Sequence, residues 1–472
     1  MQTYKTVTLG QHKGAPRLWI EGFFAARAGF EPGAKYEAVK NDGYVVLRLA
    51  EDGRRVVSYK VTKDRKVPVI DLNSKSLLDL FPVGSALRLV MKQGEIVISP
   101  LSSEKRRVAR TQRLLQKLAR REPLAVGALA FGGGVLDHAI HAGLEEAGVK
   151  ARLAFINEIR EDLVDQAIEH NEVFQRDTTA LVAPLQEVAF DERAMAHVPK
   201  VDILTAGLPC SGASVAGRAK RKLAMPEEHP LVGHLVAAAI AFIAKVNPSI
   251  FVLENVPQYA SSASAAILRS QLRDLCYDVH EREFLATEWG DLEKRRRWCL
   301  VAVSRGIPFD IEAMLPKPRE LRTLASILEP LEVVADRWSE MKGLKAKQER
   351  DRAAGKGFQM QIYTGAETSI NTLTKGIGKN RSTDPKIQHP ENPNLLRIPT
   401  AREHARCKGV PEHLIEGLSQ TTAHELLGQG ICYSPFKALG AHIGAALKRF
   451  AEEARKGLEN LSQSTPLLQA VG

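Results

Sequence analysis

The stretch VDILTAGLPCSGAS, Val201–Ser214, runs from a polar loop through an apolar segment into a turn of small residues. It delivers Cys210 just past the end of what reads as a buried strand. A cysteine near a strand is most often a small apolar core residue, so its company decides the case. Gly207, Gly212 and Ala213 leave room for a ligand, and Lys220, Arg221 and Lys222 bring the positive charge that favours a thiolate nucleophile. Glu254 closes a second apolar run, SIFVLEN. A carboxyl group ending so apolar a strand is desolvated, which raises its pKa toward use as a proton donor. A third strand opens at EKRRRW, where Arg295 and Arg297 alternate onto one face and suit a bidentate grip on an oxygen or an anion. Three strand ends thus offer a nucleophile, an acid and a cation.

A second set of residues suits a nucleoside cofactor. The glycine run at Phe131, Gly132, Gly133 and Gly134 falls between an apolar strand and a helix, where backbone must approach a ligand closely. It lacks the G-x-G-x-x-G spacing of a dinucleotide site. Glu158 ends the next strand, where an acid commonly holds ribose hydroxyls, and Asp177 on the following loop is positioned for an adenine contact. His138 and His141 read as surface residues, as do His229 and His234, because no third metal ligand accompanies them. The five cysteines, Cys210, Cys276, Cys299, Cys407 and Cys432, contain no CxxC pair, which argues against structural zinc and a disulfide framework and for a reducing cytosol.

The elements that must position these residues alternate from Leu124 onward. LAVGALAF, ARLAFINE, VDILTAG, SIFVLENV and RRWCLVAV read as strands. Helical stretches such as VLDHAIHAGLEEAG and HLVAAAIAFIAKV lie between some of them. Such alternation predicts a doubly wound α/β fold with a mainly parallel sheet. Residues 1–102 alternate short β-branched runs with Asp-Gly and similar turn signals, which predicts a separate β-rich domain. Residues 103–123 are a basic helical linker, either solvated or in contact with phosphate. The catalytic pattern covers 124–307. Between 308 and 396 periodicity fails and Gly, Thr, Asn, Lys and Pro dominate; Trp338, Leu344, Phe358, Ile362 and Tyr363 supply apolar groups for a small irregular domain. Residues 397–454 return to helical pattern, with Leu439, Ile443, Leu447 and Phe450 on one face, and 455–472 read as a flexible tail.

A formal net charge of +11 over 472 residues points toward a polyanionic partner, and 44% apolar content is enough for sizeable cores. The N-terminus has no signal-peptide pattern, and the apolar run LVAAAIAFIA from Leu235 is too short to span a bilayer. A cytoplasmic protein is expected.

From Leu124 to about Ala454 the motifs resemble those of the DNA cytosine-C5 methyltransferases. GLPCSGAS is similar to the family's Gly-Pro-Pro-Cys motif, ENV at Glu254–Val256 to its Glu-Asn-Val motif, and EKRRR at Glu293–Arg297 to its Gln-x-Arg-x-Arg motif. RIPTAREHARCKGVP resembles the motif after the target-recognition region, and LGQGICYSPFKALGAHIG the closing Gly-Asn-Ser-Val motif, which folds back beside the cofactor. Three departures stand out: LAFGGGV replaces a Phe-Ala-Gly-x-Gly pattern, Glu293 the usual Gln, and Gln429 the usual Asn. The N-terminal segment resembles SpoVT/AbrB-like or SymE-like swapped-hairpin folds, which would imply a homodimer or extra DNA contact.

The resemblance implies a Rossmann-like S-adenosylmethionine-dependent methyltransferase sheet, with residues 308–396 as the target-recognition domain reading bases in the major groove of double-stranded DNA. Pro209 and Cys210 would form the loop that closes on a flipped-out cytosine. Cys210 would attack C6, Glu254 would serve N3, Arg295 and Arg297 would hold the base O2 and the loop, and Asn255 would support that loop. Phe131, Gly132, Gly133, Gly134, Glu158, Asp177, Gly207, Gln429 and Gly430 would line the site of S-adenosylmethionine, leaving S-adenosylhomocysteine as product. No metal is called for. The setting implied is bacterial or phage-encoded, at the nucleoid. An RNA cytosine methyltransferase on the same plan and a catalytically impaired DNA-binding regulator are the alternatives.

Overall fold

The computed structural model describes residues 3–209, 212, 221, 224–318 and 321–463. The chain divides into two compact units, Met1–Val108 and Ala109–Gly472. The first is all antiparallel β apart from short helical turns. A six-stranded and a four-stranded sheet enclose a core that includes Leu18, Phe30, Tyr36, Leu47, Ile70, Leu89 and Ile98. The expected β-rich domain is therefore present.

Helix α1, Ser102–Arg120, includes the boundary between the units. Its basic residues are neither a solvated run nor phosphate contacts throughout. Arg110, buried, donates to Ser304 Oγ (2.8 Å), Cys276 O (2.7 Å) and Leu275 O (3.0 Å), and lies 3.7 Å above the Tyr277 ring. Arg113 and Lys117 hold the buried carboxylate of Asp202 at 3.0 and 2.6 Å. Leu114 completes the seam among apolar neighbours. Burying so many strand-edge carbonyls leaves acceptors that need donors, and this helix supplies them.

The second unit is built on a seven-stranded sheet. Its strands are β1 (Leu124–Leu129), β2 (Ala151–Glu158), β3 (Thr179–Val182), β4 (Ile203–Ala206), β5 (Ile250–Asn255), β6 (Tyr277–Leu285) and β7 (Arg296–Ser304), in the order β3-β2-β1-β4-β5-β7-β6. The first five pair in parallel; β7 runs antiparallel to both its neighbours. Strands β1, β4 and β5 are buried end to end, because helices cover both faces. One face packs against α2 (Val135–Glu146) and the last helix, the other against α4 (Leu235–Val246) and α5 (Ala263–Asp274); α3 (Glu161–His170) follows β2. The sequence signal missed β3 and β6. Both are sheet edges whose residues are largely partly exposed, so neither shows a continuous apolar run.

The segment 308–396 forms short strands, Ile362–Tyr363, Lys386–Gln388 and Leu396–Arg397, and a helix, Lys342–Ala353. Its apolar centre is Leu324, Ile327, Ile370, Leu373, Ile377 and Ile387 with Leu292 and Cys407; Trp338 and Tyr363 lie against it. Leu344 and Phe358 are only partly buried and Ile362 is exposed, so those three expected core residues do not form it. The segment is tied to the sheet body where Ile370–Asn371 pairs in parallel with Glu293–Lys294. Beyond it come α6 (Ala401–Cys407), α7 (Gln420–Gln429) and α8 (Tyr433–Gln463). The last helix continues nine residues past Ala454, into the stretch expected to be a flexible tail, before the described residues end.

Candidate active site

In a doubly wound sheet the strand order reverses at one point, and ligands bind beyond the carboxyl ends of the strands there. Here the reversal is between β1 and β4. Leu129 is level with Asn157 on one side and Ala206 on the other, and Ala206 with Leu253. The glycine run after β1, Glu158 of β2, Gly207-Leu208-Pro209 after β4 and Glu254-Asn255 of β5 therefore leave the sheet along one edge. Strand β7 is antiparallel and starts there, which brings Arg297 to the same edge.

Glu254 is buried, and Arg297 Nε lies 2.6 Å from its Oε1. The lone desolvated carboxyl group expected from sequence is instead met by a guanidinium. Asn255, also buried, donates from Nδ2 to Leu208 O (3.1 Å) and accepts from Val256 N at Oδ1 (2.9 Å). It ties β5 to the residue just before Pro209, which is exposed. Cys210, Lys220 and Lys222 lie outside the described residues.

Arg295 does not share the face of Arg297. The strand breaks at this residue, where Arg295 N bonds Glu293 O (2.8 Å), and the side chain turns inward to Gly428 O (2.8 Å) and Glu293 Oε1 (3.3 Å). Glu293, fully buried, also accepts from Lys408 Nζ (3.0 Å) and Leu373 N (3.0 Å). Burial pushes the Glu293 carboxyl up, but the Lys408 and Arg295 charges outweigh it and hold the group below its ordinary value. This cluster joins the EKRRR segment, the region after the irregular domain and the closing motif.

Four cysteines besides Cys210 are buried. Burial and then the Glu254 charge push the Cys299 thiol, opposite Glu254 in register, well up; burial likewise raises Cys407 and Cys432. Such thiols are poor nucleophiles.

The glycine run divides by direction. A Cβ on Gly133 would come 2.4 Å from Leu426 Cδ1, and one on Gly134 would meet Asn171 Nδ2 and the Phe131 ring at 2.4 Å; on Gly132 it would meet no described atom within 4 Å. Gly132 thus faces open space, with φ at 58°, a conformation that costs an L side chain. Its N–H donates to Glu158 Oε2 (2.7 Å), while Glu158 Oε1 accepts from Ile159 N and Arg160 N, both at 2.9 Å. Gly207 is similarly open, with Ala130 O, 3.5 Å away, the nearest contact for a Cβ. An open glycine backbone beside a buried carboxylate fits a ligand bearing a ribose. Phe131 is buried edge-to-face against Phe174 and supports the loop from behind.

Asp177 does not join this group. It precedes β3, so it stands at the entry edge of a parallel strand while the glycine run stands at the exit edge, and it pairs with Arg152 at 3.0 Å. Gln429 and Gly430 end α7, whose Leu426 touches Gly133, and the Gln429 side chain turns back to Glu425 O (3.4 Å). Sequence reasoning missed Asn171, which donates to the Gly133 and Gly134 carbonyls at 3.3 and 3.4 Å. An Asn just after a helix carries no signal in one sequence. His138, His141 and His229 are buried rather than on the surface.

The sheet, with an open glycine backbone and a buried carboxylate at its switch point, is that of a doubly wound α/β enzyme. The chain shares its fold with a methyltransferase, Dnmt2 of S. pombe: TM-score 0.53 at 18% identity, over 70% of this chain and 99% of that one. Residues 138–445 match the pattern of the C-5 cytosine-specific DNA methylases, and the chain belongs to that family. It is 26% identical to the type II methyltransferase M1.ScrFI of Lactococcus lactis subsp. cremoris over 262 residues, 53% of this chain and 64% of that protein. It is also 26% identical to M.NlaX of Neisseria lactamica over 324 residues, 66% of this chain and 95% of that protein. No helix among the described residues is long and apolar enough to cross a membrane.

Proposed function

We propose that this protein is a site-specific DNA cytosine-C5 methyltransferase that acts on a flipped-out cytosine through a covalent bond between Cys210 and C6. The observation that carries the reading is the shared edge: Glu254 and Arg297 paired at 2.6 Å, with Asn255 bonded to the loop that leads into Pro209 and Cys210. Cytosine C5 is a weak nucleophile until the ring's aromaticity is broken. Addition of the Cys210 thiolate to C6, with the Glu254 carboxyl hydrogen-bonded or giving a proton to N3, moves electron density to C5. Arg297, paired with Glu254, would orient that carboxyl group and hold the base O2. Arg295, turned to Gly428 and Glu293, supports the start of β7 from within. S-adenosylmethionine, when bound, supplies the electrophilic methyl group that C5 takes. Loss of the C5 proton then lets the C6–sulfur bond break and frees Cys210. Gly132, Gly207 and Glu158 would hold the cofactor, with Phe131, Gly133 and Gly134 shaping the loop and Gln429 and Gly430 closing beside it. Residues 308–396 would read the target bases.

The test is a duplex of mixed sequence carrying 5-fluorocytosine, incubated with and without S-adenosylmethionine and resolved under denaturing conditions. Fluorine at C5 blocks the last elimination, so a cofactor-dependent adduct mapped to Cys210 is expected. An adduct with fluorinated RNA alone would move the substrate to RNA. If no adduct forms with either while the protein still shifts DNA on a native gel, the protein is a DNA-binding regulator.

A further inference from the structure

A cluster away from the Glu254 carboxylate brings together three potential metal ligands that are far apart in sequence. His138 lies on the first turn of α2, Glu172 follows α3, and His413 lies in the 3₁₀ turn Glu412–Ile415. His138 Nε2 is 2.8 Å from Glu172 Oε1 and His413 Nε2 is 3.1 Å from Glu172 Oε2; one donor atom from each residue lies within 4.8 Å of the others. Two imidazoles converging on one carboxylate form a donor set suited to a borderline transition-metal ion.

The inner ligand is preset. His138 is buried, and its Nδ1 is 2.6 Å from Tyr433 Oη, which fixes the ring and aims Nε2 outward. An outer hydrogen bond of this kind is what orients a metal-bound histidine. The other two side chains are exposed, Glu172 by 64% and His413 by 45%, so they can turn to open a gap between the donors at little cost, and solvent can complete the coordination. Around an ion with bonds of about 2.0–2.2 Å, tetrahedral donors stand roughly 3.4 Å apart, close to the spacings already present.

We propose that His138, Glu172 and His413 bind a divalent transition-metal ion of the zinc type, with water completing the shell, and that this ion fastens the C-terminal segment to the helix that follows the glycine run. The reading is independent of the methylation chemistry. The connectivity of the three ligands gives the ion a structural role. His413 belongs to the part of the chain beyond the 308–396 segment, while His138 N bonds Gly134 O (2.8 Å) and Asn171, next to Glu172, bonds the glycine carbonyls.

The experiment uses the full chain, stripped with a chelator and titrated with Zn²⁺ by calorimetry and with Co²⁺ by visible absorption, beside His413→Ala, Glu172→Gln, Tyr433→Phe, His12→Ala and Cys210→Ser. One equivalent is expected for the unchanged chain, for His12→Ala and for Cys210→Ser. Tyr433→Phe should weaken binding by about 10- to 100-fold, and His413→Ala and Glu172→Gln by more, with circular dichroism unchanged because both residues are exposed. The proposal fails if His413→Ala binds like the unchanged chain, or if Cys210→Ser alone abolishes binding.

Discussion

Arg297 and Glu254 come from adjacent antiparallel strands and meet at 2.6 Å, with both side chains nearly buried (12% and 11% exposed). The carboxylate is thereby held in one orientation at the mouth of the sheet. Glu254→Gln keeps the shape and removes the ionisable carboxyl group; single-turnover methylation of duplex DNA is expected to slow by about 10²–10⁴-fold, the range of general-acid contributions. Calorimetric binding of S-adenosylhomocysteine should be unchanged, since Gly132 and Glu158 are separate groups.

The glycine run gives a second, internally controlled comparison. Gly133→Ala must displace the end of the Leu426 side chain, found 2.4 Å from the added carbon, and overpacking of this kind costs roughly 1–3 kcal/mol. Gly132→Ala meets nothing but places a methyl group in the open space beside Glu158. Urea unfolding should report on both, because an Ala at position 132 must hold φ near 58° at a cost of roughly 1–2 kcal/mol, whereas S-adenosylhomocysteine affinity should fall mainly with Gly132→Ala. Equal loss of affinity from both would remove Gly132 from the cofactor site.

Arg110 separates a structural role from a nucleic-acid role. Arg110→Met removes donors from the carbonyls of Leu275 and Cys276 and from Ser304 Oγ. Each buried group left unpaired costs about 1–3 kcal/mol, so a clear fall in thermal stability is expected. The salt dependence of DNA binding should keep its slope, because no phosphate contact is lost.

Asp137 makes stability depend on pH. It is buried, accepts from Thr205 Oγ1 at 2.5 Å, and burial pushes its carboxyl from 3.8 up to about 7. A group whose folded pKa is raised stabilises fully below its unfolded value, and that stability is lost as pH rises through the folded value. Its window is pH 4–7, with a slope of about 1.4 kcal/mol per unit. Burial lowers His141 to about 4, which gives the opposite slope up to about pH 6.5. The Asp137 effect is therefore isolated by Asp137→Asn: relative to the unchanged chain, the variant should gain stability between pH 5 and pH 8 in urea titrations.

The sequence was most legible where chemistry demands a residue type at a strand end. Cys210, Glu254 and the EKRRR segment were singled out because apolar runs stop or start there; the structure brings Glu254 and Arg297 together, while Cys210 lies outside the described residues. Arg295 and Asp177 were assigned to the site from local pattern and from the family resemblance. A break in a strand redirected the first, and the direction of a parallel strand put the second at the wrong edge. The basic helix α1 misled for a different reason: its arginines and lysines look solvated until the carbonyls that need them are placed. His138 reads as a surface residue because its partners, Glu172, His413 and Tyr433, are 34 to 295 positions away.

Glu293 provides the last test, because the Gln-x-Arg-x-Arg motif to which EKRRR is similar has Gln at this position. Restoring it would look conservative from sequence. In the structure, Lys408 Nζ is fully buried and lies 3.0 Å from Glu293 Oε2, so Glu293→Gln leaves an ammonium group without its counter-charge. Breaking one side of a buried pair costs roughly 3–5 kcal/mol, whereas replacing both sides with groups of similar volume is often neutral. Glu293→Gln alone should therefore lower the denaturation midpoint sharply, and Lys408→Met added to it should recover much of the loss. The double-mutant cycle measures the coupling directly. If the two changes are additive, the pair does not stabilise the junction between the EKRRR segment and α6, and the Glu at this position needs another explanation.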